Sequence, residues 1–137
     1  MSGLRFAGYA ALFDRPDSGG DVIRRGAFAR GVAAGPARLP LLWQHDMTRP
    51  IGRVEHIAED ARGLRVIGRL AGGAGASAEA AALLADGAVT GLSFGYRVRA
   101  KRQGRHRELI DLDLVELSLV TLPMQPGARV HALDPSD

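Results

Sequence analysis

The sequence of 137 residues contains no cysteine, one lysine and few aromatic residues. The missing cysteines exclude disulfides, a cysteine nucleophile, thiolate zinc sites and iron–sulfur clusters. No run of about 18 apolar residues is present, so no transmembrane helix is expected. The first residues, MSGLRFAGYAALF, lack the basic-then-apolar order of a secretory signal, and none is expected. The 46% share of hydrophobic residues is enough for one domain with its own core.

The net charge is weakly positive, +3, from 18 basic and 15 acidic residues. Basic residues cluster, with no acidic one among them, at Arg97, Arg99, Lys101, Arg102, Arg105 and Arg107. The cluster is interpreted as a solvated hairpin tip, because no aromatic residues are interleaved with it to stack on bases. A nucleic-acid-binding barrel that uses residues 97–107 stays as an alternative, and its DNA binding would depend steeply on salt.

Eighteen glycines and seven prolines break the chain into short segments rich in Val, Leu and Ile, which is typical of many short strands. Strands are predicted at Leu4–Phe13, Asp21–Arg25, Leu39–His45, Ile51–Ile57, Leu64–Leu70, Val89–Arg99 and Arg107–Thr121. A turn is predicted at Asp46–Pro50, and helices at Ala27–Ala34 and Ser77–Asp86. Ser77 is the expected N-cap of the second helix, and Gly87 is its expected C′ residue.

These elements predict a mainly β fold with six to seven strands and flanking helices. A closed or nearly closed β-barrel with the helices packed outside would bury such a set. Residues 1–130 are expected to form a single domain, and residues 131–137 a frayed C-terminal tail.

The segment Thr90–Val98 (TGLSFGYRV) alternates in the manner of a strand. The face expected to point to the core carries Leu92, Phe94, Tyr96 and Val98. Ser93 lies between Gly91 and Gly95 on the other face, where the small neighbours would let a ligand backbone approach its hydroxyl. Alternatively, Ser93 lies on a solvated face and the two glycines mark bulges.

Glu116 lies in the aliphatic segment Asp113–Leu122 (DLVELSLVTL), where both strand faces are at least half buried. A buried carboxylate without a partner costs several kcal/mol, so a partner is expected. An arginine of the neighbouring strand is one candidate for this partner.

His45 closes an apolar strand in Leu41–Pro50 (LLWQHDMTRP), and it is either structural or chemical. Together with Ser93 and Glu116 it offers candidates for the base, the nucleophile and the orienting carboxylate that serine catalysis needs. A metal site using His45, Asp46 and Glu55 or His56 is a weaker alternative, because no usual metal-ligand spacing is present.

Four segments of the sequence form a further pattern when they are taken together: GYAALFDRPDSGGDVIRRGAF, LLWQHDMTRPIGRV, GAVTGLSFGYRV and DLVELSLVTLPMQPGARV. In this order they resemble the HK97-type prohead protease family. These are the capsid-maturation serine proteases of tailed phages, prophages and gene transfer agents. The family is related in fold to the herpesvirus assemblin proteases, whose core is a β-barrel ringed by helices.

The resemblance implies roles for five residues. His45 is the expected general base, Ser93 the nucleophile and Glu116 the third member, where assemblins use a second histidine. The family often has Pro-Ala-Asn-Pro after the last strand, whereas this chain has Pro-Met-Gln-Pro at residues 123–126. The oxyanion is expected to be stabilised at Met124 and Gln125, through the backbone N–H rather than the Gln125 side chain.

The implied function is a serine endopeptidase without a cofactor that cleaves the scaffolding segment of the major capsid protein, or itself, inside the procapsid in the bacterial cytoplasm. A substrate is expected to add as a strand beside Thr90–Arg97. No fused scaffolding domain, membrane partner or nucleic-acid partner is expected, and a homodimer stays open. The alternative is a catalytically silent capsid-assembly or scaffold-binding module on the same barrel.

Overall fold

The computed structural model describes residues 3–134, which form an eight-stranded sheet with two short α-helices. The strands are β1 (Arg5–Leu12), β2 (Asp21–Ile23), β3 (Pro40–Trp43), β4 (Asp46–Glu59), β5 (Gly63–Leu70), β6 (Gly91–Gln103), β7 (Arg107–Val120) and β8 (Val130–Asp134). The helices are α1 (Ala29–Ala34) and α2 (Ala76–Asp86), and a 3₁₀ turn covers Pro36–Arg38. The predicted mainly β class is confirmed. No helix among the described residues is long and apolar enough to cross a membrane.

The long strand β7 holds three other strands. β6 pairs with it in antiparallel fashion from Gly91↔Val120 to Gln103↔Arg107. β2 and β3 run parallel to β7 and pair with its residues 107–109 and 117–119, so they share its opposite edge. From β3 the sheet continues through β4, β5 and β1 to β8. The end of β3 and the start of β6 therefore flank the same C-terminal end of β7.

Within residues 3–134 the sheet does not close into a ring. The sequence predicted a closed or nearly closed barrel, and closure is not confirmed. The strand pairings follow an open path that ends at β8. The start of β6 meets the segment before β8 at an isolated bridge between Gly91 and Arg129. Beyond it, the register between β6 and β7 shifts after Gly95, and residues 97–103 of β6 are exposed, since the β6–β7 hairpin extends into solvent. β8 instead turns to pair with β1, so β6 and β8 diverge.

The hydrophobic core draws on all the long strands and on both loops that carry helices. Alternate strand positions supply most of it, as expected for sheets with one buried face. Fully buried large side chains are Phe6, Phe28, Ile23, Leu41, Leu42, Ile51, Leu64, Leu70, Leu84, Leu92, Leu109 and Leu112. Burying each such side chain contributes about 1.5–3 kcal/mol to folding.

The predicted core face of β6 holds for only part of its length. Leu92 and Phe94 are buried, and the Phe94 ring packs edge-to-face on Phe28 with centroids 5.1 Å apart. Val98, by contrast, is 38% exposed, so its prediction as a core residue was wrong. The β6–β7 hairpin runs beyond the core at this point, since all residues of β6 from Arg97 to Gln103 are exposed. A register shift in which Val115 of β7 is the extra residue precedes this exposed part.

Both predicted helices are present, with different starting points. α1 begins two residues later than predicted, at Ala29. α2 begins after Gly75, and Ser77 lies inside it with its hydroxyl donating to the Ala74 carbonyl, so Ser77 is not the N-cap. Gly87 follows the helix with φ 84°, as predicted for a C′ glycine.

The predicted fraying after Val130 was wrong for residues 131–134. These residues belong to β8, which pairs with β1 from Arg5↔Asp134 to Gly8↔Val130. The edge of β1 otherwise presents unpaired backbone N–H and C=O groups, and β8 satisfies them. The remaining residues of the predicted tail, 135–137, lie outside the described part of the chain.

Candidate active site

His45 lies in a two-residue turn between β3 and β4. Trp43 pairs with Asp46, so the predicted strand end at His45 and the predicted turn at Asp46–Pro50 were wrong. Gln44 and His45 have φ of 55° and 61°, the left-handed conformation that the tightest hairpin turns need at both positions. Non-glycine residues adopt it at a cost of roughly 1–3 kcal/mol each, so neighbouring contacts must hold the turn.

Gln44 supplies part of this hold. Its backbone N–H donates to the Leu119 carbonyl of β7 at 2.9 Å. Its side-chain Nε2 donates to Thr121 Oγ1 at 2.7 Å, and its Oε1 accepts from the Thr121 N–H at 3.0 Å. Sequence reasoning missed Gln44, because the contact joins residues 77 positions apart and leaves no local pattern.

Glu116 is 5% exposed, and its carboxylate bonds to His45 and Ser118. Glu116 Oε2 lies 2.5 Å from His45 Nδ1, and Oε1 accepts from the Ser118 hydroxyl at 2.7 Å. The prediction that this buried carboxylate needs a partner is confirmed, but the suggested arginine is not that partner. The hydrogen bond and the negative charge of Glu116 raise the pKa of His45, although partial burial of the ring opposes them.

Ser93 lies on β6 directly opposite Ser118 of β7 and is buried, so a solvated face for Ser93 is wrong. A Cβ on Gly95 would stand 2.6 Å from Glu116 Oε2, and one on Gly91 would stand 2.6 Å from a carbonyl oxygen of β7. The protein's own atoms therefore fill the space beside both glycines. The prediction that these glycines admit a ligand backbone was wrong. The register between β6 and β7 shifts just after Gly95, but the extra residue, Val115, lies on β7.

Ser93 and His45 line one cleft, although they come from opposite sides of β7. The other lining residues are Ala10, Asp17, Ile23, Phe94, Tyr96, Met124 and Gln125. The cleft, together with the open space at its mouth, has a volume of about 410 Å³. Because Nδ1 of His45 is bound to Glu116, Nε2 is the ring nitrogen left for a group in the cleft. The structure thus brings all five sequence-predicted site residues to the same place.

Residues 2–136 match the profile of the family described as caudovirus prohead serine protease. The chain belongs to this family. The prohead protease of Enterobacteria phage HK97 is 33% identical over 138 aligned residues, which cover 96% of this chain and 61% of the phage protein. The family resemblance seen in the sequence is confirmed, and the chain spans about 61% of the length of that relative.

Two solved viral proteases share the fold of this prohead protease family member. Varicella-zoster virus protease has a TM-score of 0.63 at 18% identity, covering 97% of this chain and 64% of that one. KSHV protease in complex with a hexapeptide phosphonate inhibitor has a TM-score of 0.65 at 16% identity, covering 98% and 66%. At these identities the likeness establishes the fold, which confirms the predicted assemblin-like architecture.

The segment at Met124 and Gln125 is held by two sets of hydrogen bonds. Gln125 Oε1 accepts from the Leu12 N–H at 2.7 Å, and Nε2 donates to the carbonyls of Leu12 and Arg15 at 2.9 and 3.2 Å. Both amide protons are therefore used. The Met124 carbonyl accepts from the Ser18 N–H and hydroxyl at 2.9 and 2.8 Å. In a trans peptide the Gln125 N–H then points away from Ser18.

The start of the predicted substrate groove beside β6 is occupied by the chain itself. The Leu92 N–H donates to the Ala128 carbonyl at 2.9 Å, and the Val130 N–H donates to the Thr90 carbonyl at 2.8 Å. The prediction of a groove along all of Thr90–Arg97 was therefore wrong for residues 90–92, because their outer edge already has a backbone partner.

The side-chain positions support neither the metal site nor the nucleic-acid-binding surface that the sequence left open. No group of three or more His, Asp or Glu side chains within residues 3–134 is arranged to hold a metal ion. Several members of the basic cluster form ion pairs with acidic residues of neighbouring strands, among them Arg102 with Glu108 and Arg107 with Asp21. Hydrogen bonds from Arg24 and Arg102 lower the pKa of Glu108 to about 2, and the hydrogen bond from Arg107 lowers the pKa of Asp21. The cluster is thus the solvated hairpin that was expected.

Proposed function

We propose that this chain is a serine endopeptidase of capsid maturation, with Ser93 as the nucleophile. His45 is the general base, and Glu116 orients it. The observation that carries the proposal is the 2.5 Å contact between His45 Nδ1 and Glu116, beside a cleft that His45 shares with a buried serine of the neighbouring strand. Membership of a family described as prohead serine proteases supports the same reaction.

The reaction begins at the hydroxyl of Ser93, which is too weak an acid to attack a peptide carbonyl unaided. His45 Nε2 accepts the hydroxyl proton as the Ser93 Oγ–carbon bond forms. Glu116 keeps the other ring proton on Nδ1 and stabilises the imidazolium. His45 then gives its proton to the leaving amine, and water hydrolyses the acyl-enzyme by the same steps in reverse. These steps need no metal or organic cofactor.

The tetrahedral intermediate needs donors for its oxyanion, and the backbone N–H of Gln125 is our candidate. The Gln125 side chain is committed to the backbone of β1 and the loop that follows it, so it does not serve as the donor. The Ser18 contacts fix the Met124 carbonyl and hence the direction of the Gln125 N–H. One preorganised donor of this kind typically contributes about 2.7–4 kcal/mol to lowering the barrier.

The proposed substrate is the scaffolding segment of the major capsid protein, cleaved inside the procapsid within the bacterial cytoplasm, with self-cleavage as a second event. The prohead protease relative supports this substrate class and place. An extended substrate would pair with the outer edge of β6 from Ser93 onward, since residues 90–92 are already paired. Slower cleavage of a peptide N-methylated next to the scissile bond tests this binding mode.

Co-expression with the major capsid protein of the same phage or element tests the proposed function. The variants are wild type, Ser93→Ala and Ser77→Ala, a control that removes a buried hydroxyl from α2. Intact mass of both proteins is the readout. We expect the capsid protein to be shortened at its N-terminus with wild type and with Ser77→Ala, and to keep its full mass with Ser93→Ala.

Identical full-length masses in all three co-expressions, with assembled procapsids present, would contradict the protease and leave the silent assembly module as the better explanation. Cleavage that persists with Ser93→Ala would refute the nucleophile. A fluorophosphonate, which reacts with activated serines in general, adds a second readout, since only a protein with Ser93 intact should gain its mass.

A further inference from the structure

Ser118 of β7 carries a hydroxyl that the proposed mechanism does not use. The residue is 0% exposed and lies two positions after Glu116, so both side chains point to the same face of β7. Its Oγ lies 2.7 Å from Glu116 Oε1 and 3.1 Å from the backbone nitrogen of His45. Ser118 therefore contacts both the carboxylate and the turn that carries the histidine.

The direction of each hydrogen bond around Ser118 follows from the donors available. A hydroxyl has one proton to donate and lone pairs that accept. The His45 N–H can only donate, so Ser118 Oγ accepts from it, and the hydroxyl proton goes to Glu116 Oε1. Because Glu116 Oε2 bonds back to His45 Nδ1, the three residues form a closed ring of hydrogen bonds.

This ring fixes two features that would otherwise vary. One is the rotation of the Glu116 carboxylate: Oε2 faces His45 only while Oε1 is held by the Ser118 hydroxyl. The other is the turn at His45, whose φ of 61° is unfavourable for a residue with a side chain. A single buried hydroxyl holds both.

We propose that Ser118 is a positioning residue that aligns Glu116 with His45 and thereby keeps Nε2 of the ring directed at the nucleophile. The inference rests on the proposed function for its catalytic consequence. The alignment itself is independent of that function, because it concerns the contact between His45 and Glu116.

Two variants separate this role from ordinary packing. Ser118→Ala removes the hydroxyl, and Ser118→Cys fills the same space with a weaker donor and acceptor. Ser77→Ala is the matched control, since it removes a buried hydroxyl of α2 that bonds to the Ala74 carbonyl and is not a member of the ring. Circular dichroism checks that each variant is folded, and the cysteine variant carries the test if the alanine variant does not fold.

Two readouts are measured between pH 5 and 9 on the whole chain. The first is the rate at which a fluorophosphonate adds to Ser93, followed by intact mass. The second is the titration of the His45 ring by NMR. Glu116 raises the pKa of this ring, while Asp17, an acidic residue of the cleft lining, is unchanged in every variant. Titration therefore reports on Glu116.

We expect Ser118→Ala to slow fluorophosphonate addition tenfold or more and to move the His45 titration to lower pH, because the carboxylate is no longer held against the ring. Ser118→Cys should show the same changes to a smaller degree, and Ser77→Ala should show neither. Folded Ser118 variants with wild-type rate and wild-type titration would overturn the proposal. If wild type itself does not react, the proposed function fails, and the titration alone still decides the role of Ser118.

Discussion

Replacing Glu116 with glutamine tests the candidate site most directly, because the change keeps the size of the side chain and removes its charge. The wild-type carboxylate is buried and lies 2.5 Å from His45 Nδ1. A hydrogen bond to a charged group contributes about 1.5–3 kcal/mol. At roughly 1.4 kcal/mol for each factor of ten, its loss alone predicts a rate about 10- to 150-fold lower.

The orientation of the new amide makes the effect larger. Ser118 must donate its proton to the atom at the Oε1 position, so the amide oxygen of Glu116→Gln belongs there and the NH₂ faces His45. Nδ1 then accepts, which moves the ring proton to Nε2, the nitrogen that should receive the proton of Ser93. The equivalent wrong tautomer in a Ser-His-Asp protease costs about 10⁴-fold in kcat. We therefore expect a loss between about 10² and 10⁴.

The assay compares fluorophosphonate addition to wild type, Glu116→Gln and Glu79→Gln from pH 5 to 9. Glu79 is exposed on α2, so its variant controls for the loss of one surface charge. A general base works when neutral, so wild-type activity should rise with pH through the raised pKa of His45, and Glu116→Gln should shift that rise to lower pH. Wild-type rates and an unmoved pH profile in a folded Glu116→Gln protein would refute the reasoning.

Three further changes have defined outcomes. Gly95→Ala should lower the rate of fluorophosphonate addition tenfold or more, because the new Cβ would stand 2.6 Å from the Glu116 carboxylate. Gly104→Ala is the control: its Cβ would stand 2.8 Å from the Glu108 carboxylate at the exposed hairpin, and the rate should not change. Gln125→Ala should lower the urea-measured free energy of unfolding by about 2–4 kcal/mol, since it leaves buried backbone groups of β1 unpaired; a smaller loss would contradict that role. Glu108 has its pKa lowered to about 2, so its charge stabilises the fold above pH 4.5 and this contribution is lost as the pH falls toward 2. Glu108→Gln should therefore reduce the difference in the free energy of unfolding between pH 7 and pH 3. An unchanged difference would contradict the pairing of Glu108 with its arginines.

Local patterns in the sequence were sufficient for most of the elements and for two chemically unusual residues. Alternation and glycine spacing placed β5, β6 and β7 to within a few residues, because side chains of a strand alternate whatever the sheet around it. Local patterns also singled out Ser93, which lies between two glycines, and Glu116, which lies among aliphatic residues. A buried carboxylate must have a partner, and that requirement is visible before the partner is known.

The turn at His45 shows where local reasoning failed. Two-residue turns with positive φ usually contain Asn or Gly, and this one contains Gln44 and His45. Its conformation depends on hydrogen bonds that Gln44 and His45 donate to Leu119, Thr121 and Ser118, which lie more than 70 residues later in the chain. The cost of the left-handed backbone is offset only once the sheet is assembled, so no window of sequence around the turn reveals it.

Amino-acid sequence by itself therefore determined the mainly β class, the family and the candidates for the reactive groups, because periodicity, motif order and side-chain chemistry are local properties. Tertiary structure alone decided that the sheet stays open, that Glu116 pairs with His45 rather than an arginine, and that Ser118 joins them. It also decided that the glycines beside Ser93 make room for the protein's own carboxylate. Each of these outcomes depends on which strands become neighbours of β7, and strand pairing is settled by the burial of the whole core at once.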